Sequence, residues 1–184
     1  MTTAVRGRFI TVEGGDGAGK STLIRAIADR VRAAGFEVTV TREPGGTELG
    51  HELRSILLEP RVEHLSPVTE LALLMADRLH HVQWVIRPAL ARGEVVICDR
   101  FMDSTYAYQG GGRGVPEGAI AGMESLLEGL TPDLTLLLDL PVAVSRARVA
   151  AAGQLDRIER EGDDFAQRVR EGFLKRAAQH ADRF

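Results

Sequence analysis

The sequence predicts an α/β fold, a parallel sheet covered on both faces by helices. Three observations carry that prediction. β-rich runs alternate with helical periods along the chain, the pattern of parallel strands joined by crossover helices. Near the start, Phe9 to Thr22 (FITVEGGDGAGKST) sets a strand, a glycine-rich loop and a helix in immediate succession. Leu134 to Leu140 is almost wholly apolar, with Thr135 and Asp139 its only polar residues, as a buried parallel strand reads. The chain has 184 residues, which suits one domain over 1–184 with a sizeable core.

Taken in order, Phe9 to Val12 is the first strand, and Gly14, Gly19, Lys20 and Ser21 fit G-x-x-x-x-G-K-[ST]. In that strand–loop–helix setting the pattern has a physical meaning. Glycines let backbone N–H groups converge on phosphate oxygens, and the helix start adds the positive end of its dipole. The stretch that would wrap phosphates is Gly14, Gly15, Asp16, Gly17, Ala18, Gly19, Lys20, Ser21 and Thr22. Lys20 would neutralise the β/γ-phosphates, and the Ser21 hydroxyl would be a ligand for Mg²⁺. Ile24, Ile27, Ala28 and Val31 give the following helix its apolar face, and Ala34-Gly35 stops it.

Glu37 to Thr41 reads as a second strand. Thr41 to Thr47 (TREPGGT) is a turn where that strand ends, the place where open α/β sheets bind ligands; an ordinary solvated turn is the other reading. Leu49 to Leu58 is helical. Ser66 caps a further helix with Pro67 at its first position and Glu70 in its first turn, running through Leu71, Leu74, Met75, Arg78 and Leu79 to a bend before Pro88. Asp77-Arg78 interrupts this apolar segment, either buried and functional or on the solvated face. His80-His81 reads as surface or rim, and the five histidines show no metal-ligand spacing.

Glu94 to Cys98 is a third strand with Asp99-Arg100 at its carboxyl end, where an acid commonly holds the metal in enzymes with this loop. Phe101 to Gly114 follows, its Gly110-Gly111-Gly112 read as a loop and its Tyr106 and Tyr108 as either site or core. Val115-Pro116-Glu117 opens a helix to about Leu130, and Leu134 to Leu140 is the fourth strand. Residues 142–161 carry Arg146, Arg148, Arg157 and Arg160. They read as a lid over phosphates or, from charge alone and more simply, as a solvated amphipathic segment. A last helix covers Asp164 to His180. The count is four strands, and a typical sheet has roughly five to six.

Hydrophobic content is 44% and charged content 27%, with 23 basic and 26 acidic residues for a net charge of −3. Bulk electrostatics therefore gives no case for nucleic-acid or membrane binding, so phosphate recognition must be local. The single cysteine, Cys98, excludes an internal disulfide, fits a cytoplasmic setting, and lies in the apolar run Val95 to Cys98 as a buried strand residue. Met1 to Arg8 has no apolar stretch of a signal peptide, and no apolar run approaches the roughly 20 residues of a membrane span.

The motifs together resemble thymidylate kinase of the bacterial kind. VEGGDGAGKST is similar to that family's phosphate-binding loop, TREPGGT to its second motif, and Ala76-Asp77-Arg78 to the helix that carries its thymine-contacting arginine. Asp99-Arg100-Phe101 resembles its DR-x motif, Ala107 to Gly114 (AYQGGGRG) follows as in relatives, and Asp156-Arg157-Ile158-Glu159 is similar to the end of its lid. The resemblance implies the nucleoside-monophosphate-kinase fold, transfer of the γ-phosphoryl of ATP to dTMP with Mg²⁺, and a homodimer. By position it implies that Gly14 to Ser21 bind the ATP phosphates. Asp16 would hold the deoxyribose 3′-OH, Arg100 the dTMP phosphate, and Arg42 and Glu43 would line that side. Arg78 would reach thymine O4, Thr105 and Gln109 the thymine edge, Tyr108 would crowd the 2′ position, and Asp99 would help to place Mg²⁺. Lys20, Arg100, Arg148 and Arg157 are the catalytic candidates.

Three departures from the family's pattern stand out. Leu74 occupies the position of an aromatic that stacks on thymine, predicting a raised KM for dTMP. Alanines fill lid positions where relatives carry arginines, leaving Arg148 and Arg157 to stabilise transition-state charge. The family's pattern continues beyond the position of Arg183-Phe184 with a fifth strand and a final helix, so the expectation is a sheet without them, an open edge at Leu134 to Leu140, and marginal stability. Two other functions fit the residues: a related kinase for another acceptor, and a nucleotide-binding protein with little turnover.

Overall fold

The computed structural model describes residues 6–60, 64–153 and 156–184. Residues 1–5, which belong to the expected domain, and residues 154–155 of the expected lid lie outside the described residues.

Strands β1 (Arg8–Gly14), β2 (Val38–Arg42), β3 (Val95–Asp99) and β4 (Leu134–Leu138) form one parallel sheet in the order β2-β3-β1-β4. This bears out the α/β prediction, although β4 stops two residues short of the predicted Leu140. Between β1 and β2 lies helix α1 (Lys20–Ala33), followed after β2 by α2 (Glu48–Leu58) and α3 (Pro67–His81). Ser66 caps α3 by accepting from Thr69 N at 3.1 Å, as its sequence predicts. The bend before Pro88 is a π-helical turn, Val82–Ile86, leading into α4 (Arg87–Ala91), because proline breaks the regular helical ladder. After β3 come α5 (Met102–Thr105), a π-helical segment (Tyr106–Gly112) and α6 (Glu117–Glu124), the last continued by a 3₁₀ turn to Leu127. Helices α7 (Val142–Ala152) and α8 (Asp163–Gln179) follow β4.

Strand periodicity divides the core. Phe9, Val96 and Cys98 face α3 and α4, packing with Leu71, Met75, Ile86 and Phe101. Val12 and Ile97 turn the other way, against Ile24 and Ala28 of α1. The buried strand position read for Cys98 is what the structure shows. Register brings the carboxyl ends of three strands level: Val12 and Arg42 both pair with Asp99, and Gly14 pairs with Leu138. The chain leaves β1 and β3 toward opposite sides of the sheet, and the crevice between two such strands is where open α/β sheets bind ligands.

The triple glycine is not a loop. It completes the π-helical segment, where a Cβ on Gly111 would come within 2.9 Å of Arg168 O and one on Gly112 within 2.6 Å of the Phe165 ring. Across the contact, a Cβ on Gly172 would meet the Cα of Ala107 at 2.9 Å. The glycines let α8 pack backbone to backbone against this segment. Tyr108, Phe165 and Phe173 close the same contact.

Candidate active site

The site grows from the end of β1. Gly14 has φ 135°, and a Cβ there would lie 2.4 Å from Leu138 O, so only glycine lets the chain turn beside β4. The loop then reaches α1, whose first residues are Lys20 and the exposed Ser21. Lys20 Nζ donates to Gly14 O (3.2 Å) and Gly15 O (3.1 Å), folded onto the loop it would leave for a phosphate. Burial, and then the positive charge of Arg100, push its pKa down to about 8. Asp99 and Ser21 line one cleft with Arg42, and Asp99 Oδ1 is buried with no hydrogen-bond partner among the described residues. A carboxylate with an unpartnered oxygen and a hydroxyl lining one cleft form a hard-oxygen donor set of the kind Mg²⁺ takes.

Arg100 bridges β1 and β3. Its guanidinium donates to Gly14 O (3.0 Å), Ser104 Oγ (3.1 Å), Asp16 Oδ1 (2.6 Å) and the Tyr108 hydroxyl (3.1 Å). Tyr108 in turn donates to the second oxygen of Asp16 at 3.0 Å. Burial alone would raise the Asp16 carboxyl, but Arg100 and Lys20 hold it below the usual value. Beneath lies Glu13, fully buried, accepting from Phe101 N (2.8 Å) and Ser104 Oγ (2.5 Å), its carboxyl pushed up by burial and by Asp103.

A second pocket opens beside this bridge. Arg78 forms its inner wall: Nε donates to Glu43 at 2.5 Å, Nη1 to Thr105 at 2.8 Å and Nη2 to Phe101 O at 3.1 Å. The Asp77-Arg78 pair is therefore buried and engaged. Asp77 accepts from Gly45 N at 3.1 Å, and burial and Glu43 push its carboxyl up to about 6. Asp16, Glu43, Leu74 and Arg78 line the pocket on one side, and Arg100, Thr105, Tyr108 and Gln109 on the other. Of the expected lining residues, Arg42 alone stands apart. It is exposed and opens onto the cleft of Ser21 and Asp99, because β-strand alternation sends it and its neighbour Glu43 to opposite faces.

His81 corrects the surface reading. It is fully buried, with Nδ1 2.8 Å from Glu43 Oε1 and Nε2 2.6 Å from Thr41 Oγ1. The Thr41–Thr47 turn folds over α3 and covers it, so the turn is no solvated connection. The ligand atoms of Glu43, His81 and Cys98 lie within 4.8 Å of one another. Both Glu43 oxygens are already engaged, by Arg78 and His81, which makes this a hydrogen-bond relay. Asp156 and Ile158, from the expected end of the lid, also line the pocket, as do Arg54 and Leu58 of α2, which nothing in the sequence spacing marks.

The two lid arginines part company. Arg148, on α7, is exposed and donates to Gly17 O at 3.2 Å, over the phosphate-binding loop. A Cβ on Gly17 would lie 2.9 Å from Ser145 O, which is why this loop position is small. Arg157 points to the other end: its Nε donates to Leu57 O at 2.7 Å and its Nη2 to Glu70. Arg146 staples the lid internally, donating to Glu159 O at 2.7 Å and also to Glu161 O.

A parallel sheet with this loop at the end of an inner strand, and a preformed polar pocket beside it, define a P-loop enzyme that handles a nucleotide and a second ligand. The family model described as thymidylate kinase matches residues 12–184, and the chain belongs to that family. It is 56% identical over 179 residues to a thymidylate kinase of Pseudomonas fluorescens (strain Pf0-1), covering 97% of this chain and 85% of the relative. A thymidylate kinase of Pseudomonas entomophila (strain L48) is 55% identical over 179 residues, with the same 97% and 85% coverage. Among solved structures, the thymidylate kinase from Ehrlichia chaffeensis superposes with a TM-score of 0.79 at 33% identity, covering 97% of this chain and 86% of that one.

Proposed function

We propose that this chain phosphorylates dTMP to dTDP at the expense of ATP, the activity of its family and a step of dTTP synthesis. The observation that carries the reading is the pocket itself. A buried arginine, a threonine hydroxyl and a glutamine amide converge beside a phosphate-binding loop, with Arg100 and Asp16 between them. The donors of Arg78 and Thr105 suit a pyrimidine carbonyl, and the Gln109 amide suits the ring edge beside it. Arg78 and Thr105 address thymine O4 and its surroundings, Gln109 the N3 side. Leu74 gives apolar contact, and Tyr108, seated on Asp16, crowds the 2′ position and disfavours ribose.

Phosphoryl transfer needs in-line positioning and cations more than covalent help. An oxygen of the dTMP phosphate, ionised at neutral pH, attacks the γ-phosphorus, and the bond to the β-phosphate oxygen breaks to release ADP. No general base is required. Arg100 releases Asp16 to receive the acceptor phosphate, and Asp16 turns to the 3′-hydroxyl. Lys20 leaves Gly14 O and Gly15 O for the donor phosphates. Arg148 supplies charge at the transferring group, and Arg157 fastens the lid over the acceptor. Mg²⁺ would be held by Ser21 and Asp99, and when bound it supplies charge neutralisation at the β- and γ-phosphates.

The protein works in the cytoplasm as a homodimer. No helix among the described residues is long and apolar enough to cross a membrane. Val68 (60% exposed) and Trp84 (63%) end an exposed stripe that runs through Ala72 and Ala76 along α3, a face suited to a second copy. The test of function is coupled ADP release with ATP, Mg²⁺ and each of dTMP, dUMP, dCMP and dAMP. Release that is fastest with dTMP supports the reading. No release with any acceptor, despite dTMP binding, would make the chain a nucleotide-binding protein instead.

A further inference from the structure

One buried carboxylate has no part in this mechanism. Glu70 stands in the first turn of α3, only 1% exposed. Its Oε1 accepts from Gln109 Nε2 at 2.8 Å and from Arg113 Nε at 3.4 Å, and its Oε2 accepts from Arg157 Nη2. Three donors from two separate segments meet on one anion. Arg157 is anchored a second time, through backbone and side chain, to Leu58 O and Leu57 O. Arg113 is anchored to Glu161 at 2.5 Å.

The chemistry of that junction is directional. An ionised carboxylate only accepts, so the Gln109 amide must turn its NH₂ to Glu70 and leave its oxygen, Oε1, for the pocket it lines. Despite burial, the donated hydrogen bonds of Gln109 and Arg157 keep the Glu70 carboxyl below its usual pKa, so the anion persists at neutral pH. A pyrimidine with an N3–H presents a donor to Gln109 Oε1. Cytosine presents an acceptor at N3, which the same oxygen repels.

We propose that Glu70 is a specificity-positioning residue: it locks the Gln109 amide with its acceptor toward the base, so that the pocket selects an N3–H pyrimidine over a cytosine. The proposal rests on the dTMP-kinase reading and assigns that reading's base discrimination to a residue outside the pocket wall. A glutamine at position 70 can donate as well as accept, which frees the Gln109 amide to turn over.

The experiment compares kcat/KM for dTMP and dCMP in the wild-type chain, Glu70→Gln and Glu70→Asp. The ratio cancels the fraction of folded enzyme, so a purely structural role leaves it unchanged. Glu70→Gln should lower the dTMP:dCMP ratio about tenfold to hundredfold, mainly through KM for dTMP, and Glu70→Asp, still acceptor-only, should retain more of the ratio than Glu70→Gln. A ratio within twofold of wild type in Glu70→Gln overturns the proposal and leaves the kinase reading intact. A wild-type chain that turns over no dTMP overturns both. Should the variants not fold, the wild type supplies its own readout by NMR. The Gln109 side-chain NH₂ protons should exchange slowly both with and without dTMP, and fast exchange overturns the lock.

Discussion

The acceptor pocket and the lid are built on opposite principles. Around the pocket, Glu43, Glu70, Arg78, His81, Thr105 and Gln109 are all buried, and each is tied to another by a hydrogen bond. Over the phosphate-binding loop, α7 has no buried residue among those described, and its hydrogen bonds to the loop run from Ser145 to Asp16 O and from Arg148 to Gly17 O. On the proposed reading, the base-recognition side is hydrogen-bonded into place without a ligand. The donor side has its cations parked on backbone carbonyls, Lys20 on Gly14 and Gly15 and Arg148 on Gly17, ready to move to phosphate. The proposed mechanism thus divides selection and chemistry between a tightly bonded half and an adjustable half.

The largest effect that sharpens this contrast is on turnover. Arg148→Ala should lower kcat by about 10³–10⁵ while leaving KM for dTMP nearly unchanged. Arg157→Ala should act mainly on KM for dTMP, because its guanidinium sits at the acceptor end. Steady-state kinetics of the pair decide, and the division fails if both variants keep normal kcat or if Arg157→Ala costs as much turnover as Arg148→Ala.

Stability should split the opposite way. Arg78→Met leaves Glu43 with only His81 in a buried place, and breaking a buried pair costs about 3–5 kcal/mol. At about 2–4 °C per kcal/mol for a chain of this size, Tm should fall by roughly 6–20 °C in a thermal melt. Arg148→Ala, on an exposed face, should leave Tm almost where it was. Equal losses would mean that the lid is as much a part of the folded core as the pocket.

The donor side should also be the pH-sensitive one. Burial and Arg100 hold the Lys20 pKa down at about 8 in the free protein. The ammonium is therefore present below that pH and lost above it, and phosphate binding draws on the charged form. KM for ATP should rise as pH passes 8, by at most about tenfold per unit, with KM for dTMP much flatter over the same range. A flat ATP profile up to pH 9.5 would show that Lys20 stays charged.

The smallest effect concerns Leu74, an apolar side chain in the pocket wall. Leu74→Phe adds a stacking interaction of about 0.5–1.5 kcal/mol, so KM for dTMP should fall between twofold and tenfold. An unchanged KM would show that leucine already fills the place.

What the chain made legible follows the range of the interactions. The phosphate-binding loop could be read because its strand, glycines, lysine and hydroxyl are contiguous. Asp99-Arg100 could be read because strand ends mark sites in such sheets. His81 was misread because helical periodicity does not register a loop forty residues upstream folding over that face. Glu70 read as a first-turn charge, since its partners Gln109, Arg113 and Arg157 come from two distant segments. Gly110 to Gly112 misled because glycine serves close packing as well as turns, and only α8, fifty residues on, decides between them. Glu13 was hidden inside its own strand, where an acid draws no notice until Phe101 and Ser104 are seen to bond it.

The measurement closest to the central contrast is calorimetry of dTMP binding to the chain, alone and with a non-hydrolysable ATP analogue and Mg²⁺. A preformed acceptor pocket predicts that dTMP binds without the analogue, with a Kd that changes by less than about tenfold when the analogue is added. Binding of dTMP only in the presence of the analogue would contradict the account, because the pocket would then be assembled by the donor rather than built into the fold.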